Sequence, residues 1–180
     1  MIEDFSFETV TRRAAEVADV RDLLPGWTRI AIPHLDGDDI VTLVDAAHAV
    51  RAMGFVPVPH VAARRLKSAA GLAAKAAAVR EQGLDASVTT QFATPASIRE
   101  WLASSRRRGI DLPVRVGVPG AHGVFPALAA RLGLVGGVAG YLDHPPELKL
   151  HFSPLGALRP TALLASRYAS AAARHASAAA

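Results

Sequence analysis

An α/β fold with a parallel sheet is what this sequence predicts, and three observations carry the prediction. Short β-like runs alternate with longer helical ones along most of the 180 residues. The apolar share of 51% is enough for one core and argues against global disorder. Repeated strand-then-helix units return the chain to the same edge of a sheet, so the strands run parallel. A (β/α) barrel and a doubly wound sheet both satisfy that pattern. Much of the apolar share is alanine, which favours helix but buries little area, so the core falls to Val, Leu, Ile and Phe.

Taken in order, Phe5 to Val10 reads as a first strand and Thr11 to Leu24 as a helix stopped by Pro25-Gly26. Thr28 to Ile32 is a second strand. Asp36 to Asp39 then supplies caps and first-turn acids to a helix with Ile40, Leu43, Val44, Ala47 and Val50 on one face. Gly54 is placed to end it in the left-handed conformation. Phe55 to Pro59 is a third strand, which Pro57 and Pro59 should distort. An alanine-rich helix follows from about Ser68 to Gln82, then a fourth strand from Ala86 to Thr90. Thr94-Pro95 opens the next helix, with Ile98, Trp101 and Leu102 inward. Leu112 to Val118 is a fifth strand, Phe125 to Leu132 a short helix, and Leu148 to Phe152 a sixth strand. A last helix runs from about Arg159 to Tyr168. Residues 1–170 thus read as a single domain, and the alanine-rich tail 171–180 as a frayed end.

Composition narrows the function classes. No cysteine is present, so disulfides, thiolate metal sites and cysteine nucleophiles are excluded. The formal net charge of +4 comes from scattered arginines. The one cluster, Arg106 to Arg108, precedes Gly109 where a helix should end, and there it answers the macrodipole. Without a basic stripe interleaved with aromatics, nucleic acid is not an expected partner. No apolar run reaches membrane-spanning length and no signal core opens the chain, so the expectation is a cytoplasmic protein without a membrane partner. Neither a dinucleotide nor a P-loop glycine fingerprint follows any strand.

In a parallel α/β fold the strand ends carry function. Here they are Glu8, His34, His60, Gln91, Pro119-Gly120 with His122 beyond, and Ser153. Each also has a bland reading: a solvated strand end for Glu8, a helix cap for His34, a backbone hydrogen bond for His60. A metal hydrolase using His34, Asp36, His60 and His122 is an alternative, although no H-x-H or H-E-x-x-H spacing supports it.

Four segments, in order along the chain, together resemble the methylenetetrahydrofolate reductase family. They are Phe5-Ser6-Phe7-Glu8, Val58-Pro59-His60-Val61-Ala62-Ala63-Arg64, Thr89-Thr90-Gln91-Phe92 and Leu148-Lys149-Leu150-His151-Phe152. The resemblance implies a TIM-barrel-like (β/α) fold that holds FAD at its mouth. It implies that Glu8 is the general acid protonating the folate nitrogen, and that Gln91 and Phe92 contact folate. His60, Ala62 and Arg64 would then hold the flavin, with NADH or NADPH as electron donor. Acid catalysis asks for a carboxyl held partly away from water, which keeps its proton nearer neutral pH. A glutamine that donates and accepts together suits the mixed edge of a pterin.

The chain departs from the family pattern in one block. Six strands are read where the family has eight, and the family's R-G-D and Y-P-x-x-H-P motifs are absent. After Arg64 the chain passes at once into the helix that normally precedes the T-Q-F strand. The fourth and fifth family strands are the missing ones. That loss implies a reduced activity, or a non-catalytic remnant serving as a binding or regulatory protein. It also leaves sheet edges that a homo-oligomer would bury.

Overall fold

Among the described residues six strands form one all-parallel, curled sheet in the order β3-β2-β1-β6-β5-β4, seen in a computed structural model. The structure describes residues 5–33, 35, 37, 39–60, 87–90, 95–109, 111–120 and 148–178. The strands are β1 (Ser6–Glu8), β2 (Arg29–Pro33), β3 (Val56–His60), β4 (Val88–Thr89), β5 (Val114–Pro119) and β6 (Leu148–Ser153). The first and last strands are neighbours, with Ser6 opposite His151 and Phe7 opposite Phe152. A doubly wound sheet has its halves in the order 3-2-1-4-5-6. The order here is instead cyclic, a half-barrel whose two edges among the described strands are β3 and β4. The two edge strands are consecutive among the described strands, β3 ending at His60 and β4 beginning at Val88.

Alternation along the strands divides the sheet into two faces. Phe5, Phe7, Ile30, Ile32, Val114, Val116, Val118, Leu148, Leu150 and Phe152 are all buried in one core. Helices α1 (Ile40–Ala52), α2 (Pro95–Arg107) and α3 (Leu158–Ala178), with a 3-10 helix at Thr11–Val20, contribute their buried side chains to it. Phe152 lies at its centre, edge-on to Phe5 with ring centroids 5.6 Å apart and within 6.0 Å of the Tyr168 ring.

The first helix, expected over Thr11 to Leu24, is shorter than the sequence suggests. It is 3-10 and ends at Val20. Its buried residues are Thr11, Ala14, Val17 and Val20, at every third position. A helix of three residues per turn places all four on one side, whereas a 3.6-residue helix would spread them.

Asp39 caps α1 as the sequence suggests, its carboxylate accepting from the Thr42 N–H at 2.7 Å. Gly54 follows the helix with φ of 90°. The buried face is Leu43, Ala46 and Val50, so Ile40 and Val44 do not belong to it; they are 64% and 43% exposed. The cap holds the Asp39 carboxyl below its ordinary value of 3.8 through its hydrogen bonds to Thr42. A depressed carboxyl stabilises the fold above its unfolded pKa and ceases to do so as pH falls through its folded value. Asp39→Ala should therefore lower the melting temperature at neutral pH. The gap from wild type should close in melts taken progressively below pH 3.8.

Pro57 and Pro59 are accommodated because β3 is an edge strand pairing only β2 among the described strands, which leaves one side free of ladder donors. In α2, Ile98 is buried, but Trp101 is 39% exposed rather than inward. Arg106 and Arg107 occupy its last turn, and Gly109 follows with φ of 76°. Arg106 donates to the Leu112 carbonyl at 3.1 Å and pairs with Asp111 at 3.0 Å, so at least this arginine of the cluster is engaged in the fold. Helix α3 continues to Ala178, past the end at Tyr168 expected from the sequence, as alanine's helix propensity favours. The helices proposed over 68–82 and 125–132 lie outside the described residues. No helix among the described residues is long and apolar enough to cross a membrane.

One close approach fixes the end of β5. A Cβ added to Gly120 would stand 2.3 Å from the Pro154 carbonyl oxygen and 2.7 Å from the Thr161 hydroxyl. The carbonyl is backbone and cannot swing away. Gly120→Ala should cost about 1–3 kcal/mol, as overpacking does, read as a lower urea midpoint at unchanged slope.

Candidate functional site

The face of the sheet opposite the core carries the polar residues. Ser6 and Glu8 share it on β1 because they alternate with Phe5 and Phe7. His151 shares it on β6, opposite Ser6 and flanked by the core residues Leu150 and Phe152. His60 reaches it from β3, through the register of Glu8 with Ala31 and of Pro33 with His60. Glu8 and His60 are the last residues of their strands.

These four side chains meet. The Ser6 hydroxyl and His151 Nδ1 share a hydrogen bond of 2.8 Å, and His151 Nε2 lies 3.3 Å from Glu8 Oε2. Ser6 and His151 are buried, while the Glu8 side chain is 24% exposed. The His60 and His151 rings pack edge to face at 5.9 Å. His60 Nδ1 stands 3.8 Å from the same Glu8 oxygen, too far for a hydrogen bond, and is buried with no hydrogen-bond partner among the described residues. Burial pushes the His60 pKa down, and the nearby His151 pushes it further; Glu8 opposes both without reversing the direction. His60 is accordingly a neutral imidazole at pH 7.

The hydrogen-bond chain has a definite polarity when Glu8 is ionised. A carboxylate only accepts, so the proton of His151 sits on Nε2, and Nδ1 accepts from the Ser6 hydroxyl. The carboxylate thus selects the tautomer, and the buried serine aims the ring. The carboxylate is the exposed end of the chain, and the buried Ser6 is its inner end.

Of the residues singled out from sequence, Glu8 and His60 are brought together. Ala62, Arg64, Gln91 and Phe92 lie outside the described residues, as do His34, Asp36 and His122. Ser6 and His151 were not singled out. The signal for His151 was present: a histidine between buried Leu150 and Phe152 must point to the other face. Ser6 has the same parity as Glu8, two residues before it. No protein-family model matches the chain.

Proposed function

We propose that this protein is a flavin-dependent reductase of 5,10-methylenetetrahydrofolate, a shortened methylenetetrahydrofolate reductase built on six of the eight units of a TIM-type barrel. The observation that carries the reading is the Ser6–His151–Glu8 chain at the strand ends of a cyclically ordered parallel sheet. An acid catalyst at the folate nitrogen needs a carboxyl that reaches substrate on one side and a proton supply on the other. Glu8 meets both needs at its exposed side, where substrate and solvent protons reach it, while its Oε2 is held by His151.

In this mechanism the protonated Glu8 donates to the folate ring nitrogen, and the five-membered ring opens to an iminium. The carboxylate left behind accepts a hydrogen bond from His151 Nε2–H, the Ser6 hydroxyl holds the ring in place, and solvent returns the proton at the exposed side of Glu8. The flavin, when bound, supplies the hydride and is recharged by NADH or NADPH. Within the described residues the group fitting it is His60, whose buried Nδ1 lacks a protein partner and can hydrogen-bond a polar ring atom. Ala62 and Arg64 complete the flavin contacts in this reading, and Gln91 with Phe92 the folate contacts. The edges at β3 and β4 are where a second copy would pair to bury open strands. The protein acts in the cytoplasm.

The deciding experiment is a visible absorption spectrum of the purified protein before and after incubation with FAD and desalting. A retained flavin band is the expected result. A protein that stays colourless overturns the proposal and leaves the non-catalytic binding role.

A further inference from the structure

We propose that Glu8, His60 and His151 form a binding site for one divalent transition-metal ion of the zinc type. The inference stands apart from the folate reading, because it concerns what the three side chains bind when no substrate is present. Each contributes one donor atom, and the three donors lie within 4.8 Å of one another. A zinc ion with bonds of about 2.0–2.2 Å to nitrogen and oxygen sets neighbouring tetrahedral donors roughly 3.4 Å apart. The two separations from Glu8 Oε2 to the histidine nitrogens, 3.3 and 3.8 Å, bracket that spacing.

Two further features favour an ion over a purely hydrogen-bonded cluster. Among the described residues His60 Nδ1 is buried without a hydrogen-bond partner, an arrangement that is costly unless something occupies it. A bound ion removes that cost. His151 also has the outer partner that metal-ligating histidines use: Ser6 Oγ at 2.8 Å from the nitrogen that faces away from the cluster. In the metal form the His151 proton moves to Nδ1 and Ser6 accepts it, which frees the Nε2 lone pair for the ion. The same 2.8 Å contact serves both tautomers, so loading needs no rearrangement of the backbone.

The donor set defines the ion. Two imidazoles and one carboxylate suit zinc, iron(II), cobalt(II) or nickel(II) better than magnesium or calcium, which prefer all-oxygen sites. Three protein donors leave a tetrahedral ion one position for water or another ligand. The ion and the proton chain exclude one another, since both require the same Glu8 oxygen and opposite tautomers of His151.

The test is calorimetric titration of the full chain with zinc chloride after treatment with chelator. One ion per chain is expected, with affinity reduced at least 10-fold to 100-fold in His60→Ala and in Glu8→Gln, and by a comparable factor in Ser6→Ala. His48→Ala, at an exposed position on α1, should leave it unchanged. A second readout uses the unaltered protein: cobalt(II) should give the intense visible bands of a four- or five-coordinate ion. Absence of zinc binding, equal affinity in wild type and both ligand variants, or the pale spectrum of six-coordinate hydrated cobalt would each overturn the site. A colourless protein after FAD treatment would leave this inference untouched.

Discussion

Glu8→Gln should lower reduction of the methylene folate by about 10²- to 10⁴-fold while leaving oxidation of NADH or NADPH by bound flavin near its wild-type rate. The asymmetry follows from where the proton goes. Only the folate half-reaction needs an acid at the ring nitrogen; electron entry from the nicotinamide does not. The amide keeps the size of the carboxyl and can still accept from His151 Nε2, 3.3 Å from Glu8 Oε2 in the native site. The fold should therefore survive, and an unchanged melting temperature is part of the expectation. Rapid-mixing measurement of each half-reaction alone separates the outcomes. Equal loss in both would show that Glu8 shapes the flavin site instead of supplying a proton, and the assigned role would fall.

Phe152→Ala should destabilise the fold by about 3–5 kcal/mol, a large share of what a single domain possesses. Phe152 is fully buried where β1, β6 and α3 converge, touching the Phe5 and Tyr168 rings. Its loss opens a cavity between a strand whose own partner across the ladder is Phe7 and a helix that can collapse only partly. The consequence reaches the site, because His151 is the preceding residue and its ring is aimed by the same strand. Urea unfolding monitored by circular dichroism measures the effect. A loss below about 1 kcal/mol would mean that the β1–β6 junction is not the centre of the core.

Glu8 and His60 were legible because parallel topology alone makes strand ends informative. Ser6 and His151 were not singled out, though their parity was readable, because no local pattern says which two strands are neighbours. Strand order β1–β6 joins residues 145 positions apart, and the Ser6–His151 hydrogen bond exists only through that pairing. The 3-10 geometry of the helix over Thr11–Val20 was not legible for a related reason. A spacing of three and a spacing of 3.6 overlap within one turn, and burial decided between them. Ile40, Val44 and Trp101 are apolar at helical spacing, yet each stays well exposed, because spacing alone does not say which helix face meets the sheet.

By itself the sequence determined the parallel α/β class, the Asp39 cap and Gly54 stop of α1, and the alternation that buries Phe5 and Phe7. All of these depend on interactions between residues a few positions apart. Tertiary structure alone decided that the strand order is cyclic, with β6 beside β1 and, among the described strands, edges at β3 and β4. It also decided that two histidines and a carboxylate from three strands share one small volume. Those outcomes rest on ladder hydrogen bonds and a common core between distant segments, which one-dimensional spacing does not encode.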